Sequence, residues 1–569
     1  MSAQFTIDPG YSLIIRLNAN CFHLRSCSVF TFSEKKTFTE SRMASYLIRA
    51  RIIGGDIQTW LASVLTVLLF IVLTLNFKAI ISRLENRWKL VRAIDKFPGP
   101  LKLPFIGNAH LGLKLRRNEQ GEFQEWMRTM VKTWGPLFRI WKLDKPCIFI
   151  SSADLAINLL KDNVIDDKSE DVKTFSVAIQ GVGLTALSHE IHPKHKKLWN
   201  KFFNWRQLKC FLPRINDEGL KLVSDIGQFA ENDLNSNGQV FDLLHLAIRC
   251  TFNITCCSAF GSEFVNTISN EIADQYIRDL HRVCVNLTRR EFRPLLTPDL
   301  IYYNTPAGKE TKICAERGAN LIKEAIAFRR NKRKCMDQKP QDNEMKCFVD
   351  HMLDLHEQGI LTEDQLVGEL NVFFAGGVDT SGAVIGLVVF HLSLYPEHQE
   401  KVLQELINVL GSDFDSNNNY SIDWHTVKMF KHLELCIKEC LRLYPLVPVL
   451  PRRTTQNIKL GDGRVIPQGV DTFIITDIIH RDPKYFPDPD EFRPERHKEG
   501  PIPAFMPFSF GTRNCIGQVL AMVTMKTIIA QLIMAYRWQT TETKDSFKCL
   551  YQTLQVPESV KCKIRKRVY

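Results

Sequence analysis

Phe508-Ser-Phe-Gly-Thr-Arg-Asn-Cys-Ile-Gly517, close to the C-terminus, is the stretch that decides the fold of this chain of 569 residues. Its glycines, Gly511 and Gly517, permit backbone turns that other residues resist. From Gln518 onward the chain is apolar at helical spacing, which predicts a helix that begins directly after the loop. Cys515 would then lie at a helix N-terminus, where the helix dipole favours a thiolate over a thiol.

The residue types around this cysteine suit a haem. Arg513 can meet a propionate and Phe508 can pack against the sulfur side of the ring, which leaves Cys515 as the axial ligand. A thiolate ligand favours O–O cleavage, whereas a histidine ligand would favour oxygen carriage or peroxidase chemistry. The alternative is that Cys515, one of sixteen cysteines, is a small buried hydrophobe. The fixed spacing of its neighbours favours the ligand role.

The loop resembles the cysteine-ligand loop of the cytochrome P-450 haem-thiolate monooxygenases. Two upstream segments agree: Lys438-Glu-Cys-Leu-Arg442 resembles the Glu-x-x-Arg helix of that family, and Phe492-Arg-Pro-Glu-Arg496 resembles its meander. The resemblance implies that Glu439, Arg442 and Arg496 form a buried structural network. A Glu-x-x-Arg pair alone is usually a solvated surface pair of small energetic worth.

A second matching segment, Glu369-Leu-Asn-Val-Phe-Phe-Ala-Gly-Gly-Val-Asp-Thr-Ser-Gly382, lies inside an apolar helical run. Each glycine costs a helix interior roughly 1 kcal/mol relative to alanine, so Gly376 and Gly377 predict a kink or the close approach of a planar ligand. The Thr380 hydroxyl can reach back to the Gly376 carbonyl. The resemblance implies that both glycines border the haem and that Thr380 and Asp379 deliver protons for oxygen cleavage. A plain core helix is the alternative.

Three positions depart from the family pattern. His192 and Lys196 stand where relatives carry tryptophan and arginine for the haem propionates. Both can donate hydrogen bonds, but lysine lacks the bidentate fork of arginine, so Arg452 and Arg513 would bind the propionates more strongly. The alternative is that His192 and Lys196 are ordinary surface cations. Gly376 stands where some relatives carry a glutamate that tethers the haem, so this ester cannot form here.

The N-terminal region predicts a membrane anchor. Residues 57–77 contain no charge and are followed by several cations, a pattern that places one span in the bilayer and the remaining chain on the cytoplasmic side. A buried core helix is the alternative. Phe97-Pro-Gly-Pro100 resembles the hinge that follows the anchor in the family. The predicted domains are an extension over 1–56 of uncertain role, the anchor over 57–77, a basic linker and hinge over 78–100, and the monooxygenase domain over 101–569.

The predicted fold class is mainly α with small β-sheets (α+β), because helical patterns dominate from Asn118 to Tyr444 and a strand-and-turn pattern follows. Residues 329–344 are highly charged and predict a solvated loop. The net charge of +12 is spread along the chain without an aromatic-basic stripe, which argues against nucleic-acid binding. The cysteine spacings form no disulfide framework, so free thiols are expected.

The closest resemblance within the family is to the microsomal family 4 group of fatty-acid ω-hydroxylases and xenobiotic oxidases. It implies a monooxygenase of the endoplasmic reticulum membrane that uses haem b (iron protoporphyrin IX) to oxidise a lipophilic substrate. Electrons from NADPH would arrive through a separate flavoprotein reductase, with cytochrome b5 as a second candidate donor. Lys438, Lys498 and Lys526 are candidate contacts for that partner. The rival hypotheses are a mitochondrial enzyme fed by a ferredoxin and a haem-binding protein without turnover.

Overall fold

The computed structural model describes residues 5–7, 13–15, 59, 61–71, 74, 77–112, 122–231, 239–335, 346–411 and 422–568. The chain divides into two compact units, Met1–Asn86 and Arg87–Tyr569.

The first unit contains two short strands and an apolar helix. Strands β1 (Phe5–Ile7) and β2 (Leu13–Ile15) pair antiparallel, and helix α1 (Leu61–Ile71) exposes most of its apolar side chains. Helix α1 falls within the predicted anchor over 57–77, but alone it is shorter than the roughly 20 residues that a span requires. The remainder of the predicted extension over 1–56 lies outside the described residues. The membrane anchor therefore stays a prediction.

Helices make up most of the second unit, as the sequence predicted. In chain order they are α2 (Phe77–Ile94, which begins in the first unit), α3 (Ala109–Gly112), α4 (Glu122–Trp134), α5 (Ala153–Lys161), α6 (Glu170–Ala178), α7 (His192–Phe202), α8 (Trp205–Ile226), α9 (Leu243–Phe260), α10 (Ser262–Val265), α11 (Asn270–Glu291), α12 (Asp299–Tyr302), α13 (Pro306–Cys335), α14 (Phe348–Glu357), α15 (Glu363–Leu394), α16 (Pro396–Leu410), α17 (Trp424–Met429), α18 (Lys431–Leu443), α19 (Thr476–Ile479) and α20 (Gln518–Ala535).

The strands form small sheets of two to four strands. They are β3 (Leu137–Lys142), β4 (Lys145–Ile150), β5 (Ala230–Glu231), β6 (Phe241–Asp242), β7 (Leu450–Arg453), β8 (Ile458–Lys459), β9 (Val465–Ile466), β10 (Asp471–Ile474), β11 (Tyr536–Thr540), β12 (Cys549–Gln552), β13 (Leu554–Pro557) and β14 (Lys561–Lys566). One four-stranded sheet has the order β3-β4-β10-β7, in which β10 runs parallel to β4 and antiparallel to β7. This arrangement confirms the mainly α class with small sheets.

The core is built around α15, which packs against α9, α18 and α20. Among the described residues, three helices, α9, α15 and α20, are long and apolar enough to cross a membrane, yet 67%, 72% and 72% of their most apolar windows are buried within the fold. A helix that is apolar on all sides needs an apolar environment, which a protein core supplies as well as a bilayer does. These three helices are therefore core elements of the second unit.

The charged segment over 329–344 differs from its prediction. Helix α13 continues to Cys335, so the first residues of the segment are helical rather than a loop. Arg329 and Arg333 both hydrogen-bond the buried carboxylate of Asp350, at 2.7 and 3.1 Å. These two arginines balance the charge of Asp350 inside the fold, because a buried carboxylate needs cationic partners. The residues from 336 to 344 lie outside the described part of the chain.

Candidate active site

The cysteine loop adopts the tight turn that its sequence predicts. Gly511 has a φ of +75°, and a Cβ at this position would lie 2.4 Å from the carbonyl oxygen of Leu160. The turn closes with a hydrogen bond of 2.9 Å from the Cys515 amide to the carbonyl of Phe508, whose half-buried ring packs against the core. Gly517, in contrast, has an ordinary φ of −80°, so its expected role in a special turn is wrong.

Cys515 lies just before α20, as predicted; the residue as a whole is exposed, whereas its sulfur is enclosed mainly by protein atoms. Backbone hydrogen bonds from Gly517 and Gln518 and the charge of Lys196 favour its thiolate, but burial among protein atoms outweighs them and raises the pKa of the thiol. The predicted effect of the helix N-terminus is present, although it does not dominate. A thiolate at this position therefore needs the positive charge of a bound metal to stabilise it.

Helix α15 is continuous from Glu363 to Leu394 and exposes one residue in its largely buried middle. Gly376 is exposed, and a Cβ there would meet no atom within 4 Å. The Thr380 hydroxyl donates a hydrogen bond of 2.9 Å to the Gly376 carbonyl, as expected. A Cβ on Gly377 would lie 2.7 Å from the side chain of Thr255, so this glycine allows the close packing of α9; its predicted place beside the cofactor stays a prediction.

Asp379, beside Thr380, has an unusual acidity. Burial raises the pKa of its carboxyl to about 7. A carboxyl with this pKa is partly protonated at neutral pH, which suits a group that gives and takes a proton. Its predicted role in proton delivery therefore has a physical basis, and the role itself stays a prediction.

Three buried nitrogen atoms in this region lack a hydrogen-bond partner among the described residues: Arg452 Nε, Arg513 Nη1 and His192 Nδ1. The remaining nitrogens of the two guanidinium groups are well held. Arg452 Nη2 donates to the Ser509 hydroxyl at 2.8 Å, and Arg513 Nε donates to the Asp166 carbonyl at 2.7 Å. The polypeptide thus orients the two arginines and leaves one nitrogen of each without a partner.

These three side chains lie in an excess of positive charge that includes Lys168. Burial and the neighbouring cations lower the pKa of His192 to about 3 and that of Arg452 to about 10, and they lower the pKa of Lys168 well below its usual value. Sequence reasoning missed Lys168, which belongs to none of the motifs. Buried cations with unused donors are unfavourable unless an anion joins them. The two propionates of a haem fit this requirement.

Lys196 has a different environment. Its ammonium group contacts the Thr512 carbonyl and the side chain of Asn514, both in the cysteine loop. It therefore connects α7 to that loop, one helical turn beyond His192. Its predicted contact with a propionate stays untested.

The Glu-x-x-Arg pair forms the buried network that the resemblance implied. Glu439 and Arg442 are both 0% exposed and share two hydrogen bonds of 2.8 and 2.9 Å. Arg496 donates to Glu439 at 2.9 Å, and His497, which the sequence did not reveal, contacts it at 3.0 Å. Although burial opposes it, the hydrogen bonds from His497 and Arg442 hold the pKa of Glu439 at about 2.

The lysines considered for partner binding differ in their exposure. Lys526 is buried and pairs with Glu434 at 2.9 Å, and Lys438 pairs with the same carboxylate at 2.7 Å. Lys526 is therefore wrong as a contact for a protein partner. Lys498 is exposed and remains a candidate.

The cysteine before α20, the threonine and acid that follow the exposed Gly376 on α15, and the buried cations suited to propionates fit the class of haem-thiolate proteins. The chain belongs to the cytochrome P450 family, since the model of that family, "Cytochrome P450", matches residues 97–564. It is similar to Cytochrome P450 4c3 of Drosophila melanogaster, with 25% identity over 83% of this chain and 90% of the relative. Cytochrome P450 4V2 of Mus musculus is 28% identical over 81% and 87%. Cytochrome P450 4c21 of Blattella germanica is 28% identical over 88% and 97%. These matches support a cytochrome P450 monooxygenase.

Proposed function

We propose that this monooxygenase inserts one atom of O2 into a lipophilic substrate, with electrons from NADPH delivered by a separate flavoprotein reductase. The observation that carries the proposal is the buried group of Arg452, Arg513 and His192, whose unused donors are suited to the propionates of haem b. Cys515 would hold the iron from the loop before α20. Bound in this way, the haem supplies the activation of oxygen.

In this proposal Asp379 and Thr380, both on α15, deliver protons to the site. Because the Thr380 hydroxyl donates its hydrogen to Gly376, its oxygen is free to accept a hydrogen bond from a water or from an oxygen species. Asp379, with a pKa of about 7, can supply the proton. The open space at Gly376 adjoins the backbone group that the Thr380 hydroxyl contacts.

A small aromatic cavity lies in the second unit. It has a volume of about 60 Å³, and its walls include Phe123, Trp126, Phe473 and Tyr551. This volume is far below the roughly 300–1,000 Å³ of ordinary ligand pockets. The proposal of a lipophilic substrate is therefore supported by the family relationship rather than by this cavity.

The location and the partner belong to the same proposal. The exposed apolar side chains of α1 and the cations that follow it favour a membrane anchor in the endoplasmic reticulum, with the catalytic unit facing the cytoplasm. A mitochondrial enzyme fed by a ferredoxin remains the rival. Cell fractionation separates the two, because only the rival predicts import into the organelle.

The test is turnover of the full-length holoprotein in lipid vesicles with an NADPH-dependent flavoprotein reductase, under 18O2, across a panel of neutral lipophiles and fatty acids. We expect products that carry one 18O atom. The Thr380→Ala variant should release more hydrogen peroxide per NADPH, whereas the neighbouring Ser381→Ala variant should not. NADPH consumption without an oxygenated product across the panel would favour a haem-binding protein without turnover. Coupling unchanged by Thr380→Ala would remove this hydroxyl from the mechanism.

A further inference from the structure

Two histidines and a cysteine meet outside the haem site, between α16 and α18. His398, His432 and Cys436 each place a potential ligand atom within 4.8 Å of the others. His398 and Cys436 are buried, and His432 is half-buried. His432 and Cys436 are four residues apart on α18, so they share one face of that helix. None of the motifs of the haem site includes these residues.

We propose that His398, His432 and Cys436 form a structural zinc site. Zinc bonds of about 2.0–2.1 Å to nitrogen and about 2.3 Å to sulfur, at tetrahedral angles, place ligand atoms roughly 3.3–3.7 Å apart. His398 Nδ1 and His432 Nε2 are 3.2 Å apart, close to that separation. The sulfur would need to move by at most about 1 Å, judged from the 4.8 Å limit.

The choice of zinc follows from the ligand set. Two imidazoles and one thiolate form a borderline-soft site of the kind that zinc occupies, whereas calcium and magnesium require oxygen ligands. Burial lowers the pKa of both imidazoles, which keeps them in the neutral form that binds metals. Burial also raises the pKa of Cys436, so zinc would displace the proton of its thiol on binding.

The surroundings supply a fourth ligand and hold the histidines in place. Glu495 Oε1 lies 3.9 Å from His398 Nδ1 and is now held by Lys401 at 3.0 Å. Glu405 accepts the backbone N–H groups of His432 and its two neighbours, which fixes the start of α18. Either the Glu495 carboxylate or a water would complete a tetrahedral site.

The position of the site indicates its role. Glu495 precedes Arg496 and His497, which hold Glu439. A zinc ion bound here would cross-link α16 to α18 and fix the turn that carries these two residues. The zinc site would stabilise the buried network around Glu439 without touching the haem. It is therefore independent of the proposed substrate and of the electron donor.

The test measures zinc and iron together in the full-length holoprotein. After equilibrium dialysis against zinc, elemental analysis should find about one zinc per haem iron, and zinc X-ray absorption should show one sulfur among nitrogen and oxygen ligands. His398→Asn and Cys436→Ala should each weaken zinc binding by more than about 100-fold, since even second-shell changes cost 10- to 100-fold. Cys440→Ala, one helical turn further along α18, is the matched control and should retain zinc.

Thermal unfolding provides a second readout. Zinc should raise the Tm of the wild type and of Cys440→Ala but not that of Cys436→Ala, with the carbon monoxide spectrum of the haem unchanged in all three. Absence of zinc from the dialysed wild type, or zinc without a sulfur ligand, would overturn the proposal. Zinc binding that survives both His398→Asn and Cys436→Ala would overturn it too. The wild-type measurement decides even if a variant fails to fold.

Discussion

Replacing Glu439 by glutamine tests whether the buried network supports the haem domain. The substitution keeps the size and shape of the side chain but removes its negative charge. Arg442, 0% exposed, would keep its charge and its hydrogen bonds to backbone carbonyls such as that of His480 at 3.0 Å. Arg442 would lose the negative charge that balances its own, and Arg496 would lose the same negative charge.

Two estimates of the cost agree. Breaking a buried ion pair by removing one partner destabilises a protein by about 3–5 kcal/mol. Independently, the pKa of Glu439 is held at about 2, compared with about 4.3 for a free glutamate, a difference worth about 3 kcal/mol. Because the pKa is lower in the folded state, this stability is present above the unfolded pKa and is lost as the pH falls toward 2.

The assay is thermal unfolding of the haem-loaded protein between pH 3 and pH 7, with the wild type, Glu439→Gln and the exposed Glu397→Gln compared at equal haem content. At pH 7, Glu439→Gln should lose about 3 kcal/mol, and the gap should narrow as the pH falls. Glu397→Gln should stay close to the wild type. A Glu439→Gln variant no less stable than Glu397→Gln would refute the reasoning, and so would a loss that does not depend on pH.

Three further predictions concern the haem site. Asp379→Asn should slow turnover. Because the pKa of Asp379 is raised on folding, the wild type should lose stability as the pH rises from about 4 to about 7, and unfolding measured across this range should show no such loss for the variant. Arg452→Leu should speed the transfer of haem to an apoprotein acceptor about 10- to 100-fold, since a hydrogen bond to a charged group is worth about 1.5–3 kcal/mol, whereas the exposed Arg537→Leu should not. Gly376→Glu should fold, because its Cβ has open space, and should retain haem through denaturing chromatography by forming the ester found in some relatives, whereas Gly376→Gln should release it.

The elements that could be predicted from sequence are those whose geometry is local. The turn at Gly511, the start of α20 directly after the cysteine loop, and the hydrogen bond from Thr380 to Gly376 each depend on residues a few positions apart, so spacing was enough to find them. Resemblance added the network around Glu439, whose members are distant in sequence.

Contacts across the fold could not be predicted in this way. Gly377 was assigned to the cofactor because it follows Gly376, but successive residues on a helix point about 100° apart, and only the packing of α9 shows which glycine faces the opening. Lys526 was expected at the surface, yet its partner Glu434 is on another helix. Lys168 and His497 carry no local signal at all, because their importance comes from neighbours far along the chain.

The sequence by itself determined the class of this protein, because its cysteine loop, its Glu-x-x-Arg helix and its glycine-threonine segment together resemble one family. Tertiary structure alone decided which cations are buried together with unused donors, and which histidines meet Cys436. The physical reason is that backbone turns and helix periods are set by neighbouring residues, whereas desolvation and charge balance are set by whatever the fold brings into contact.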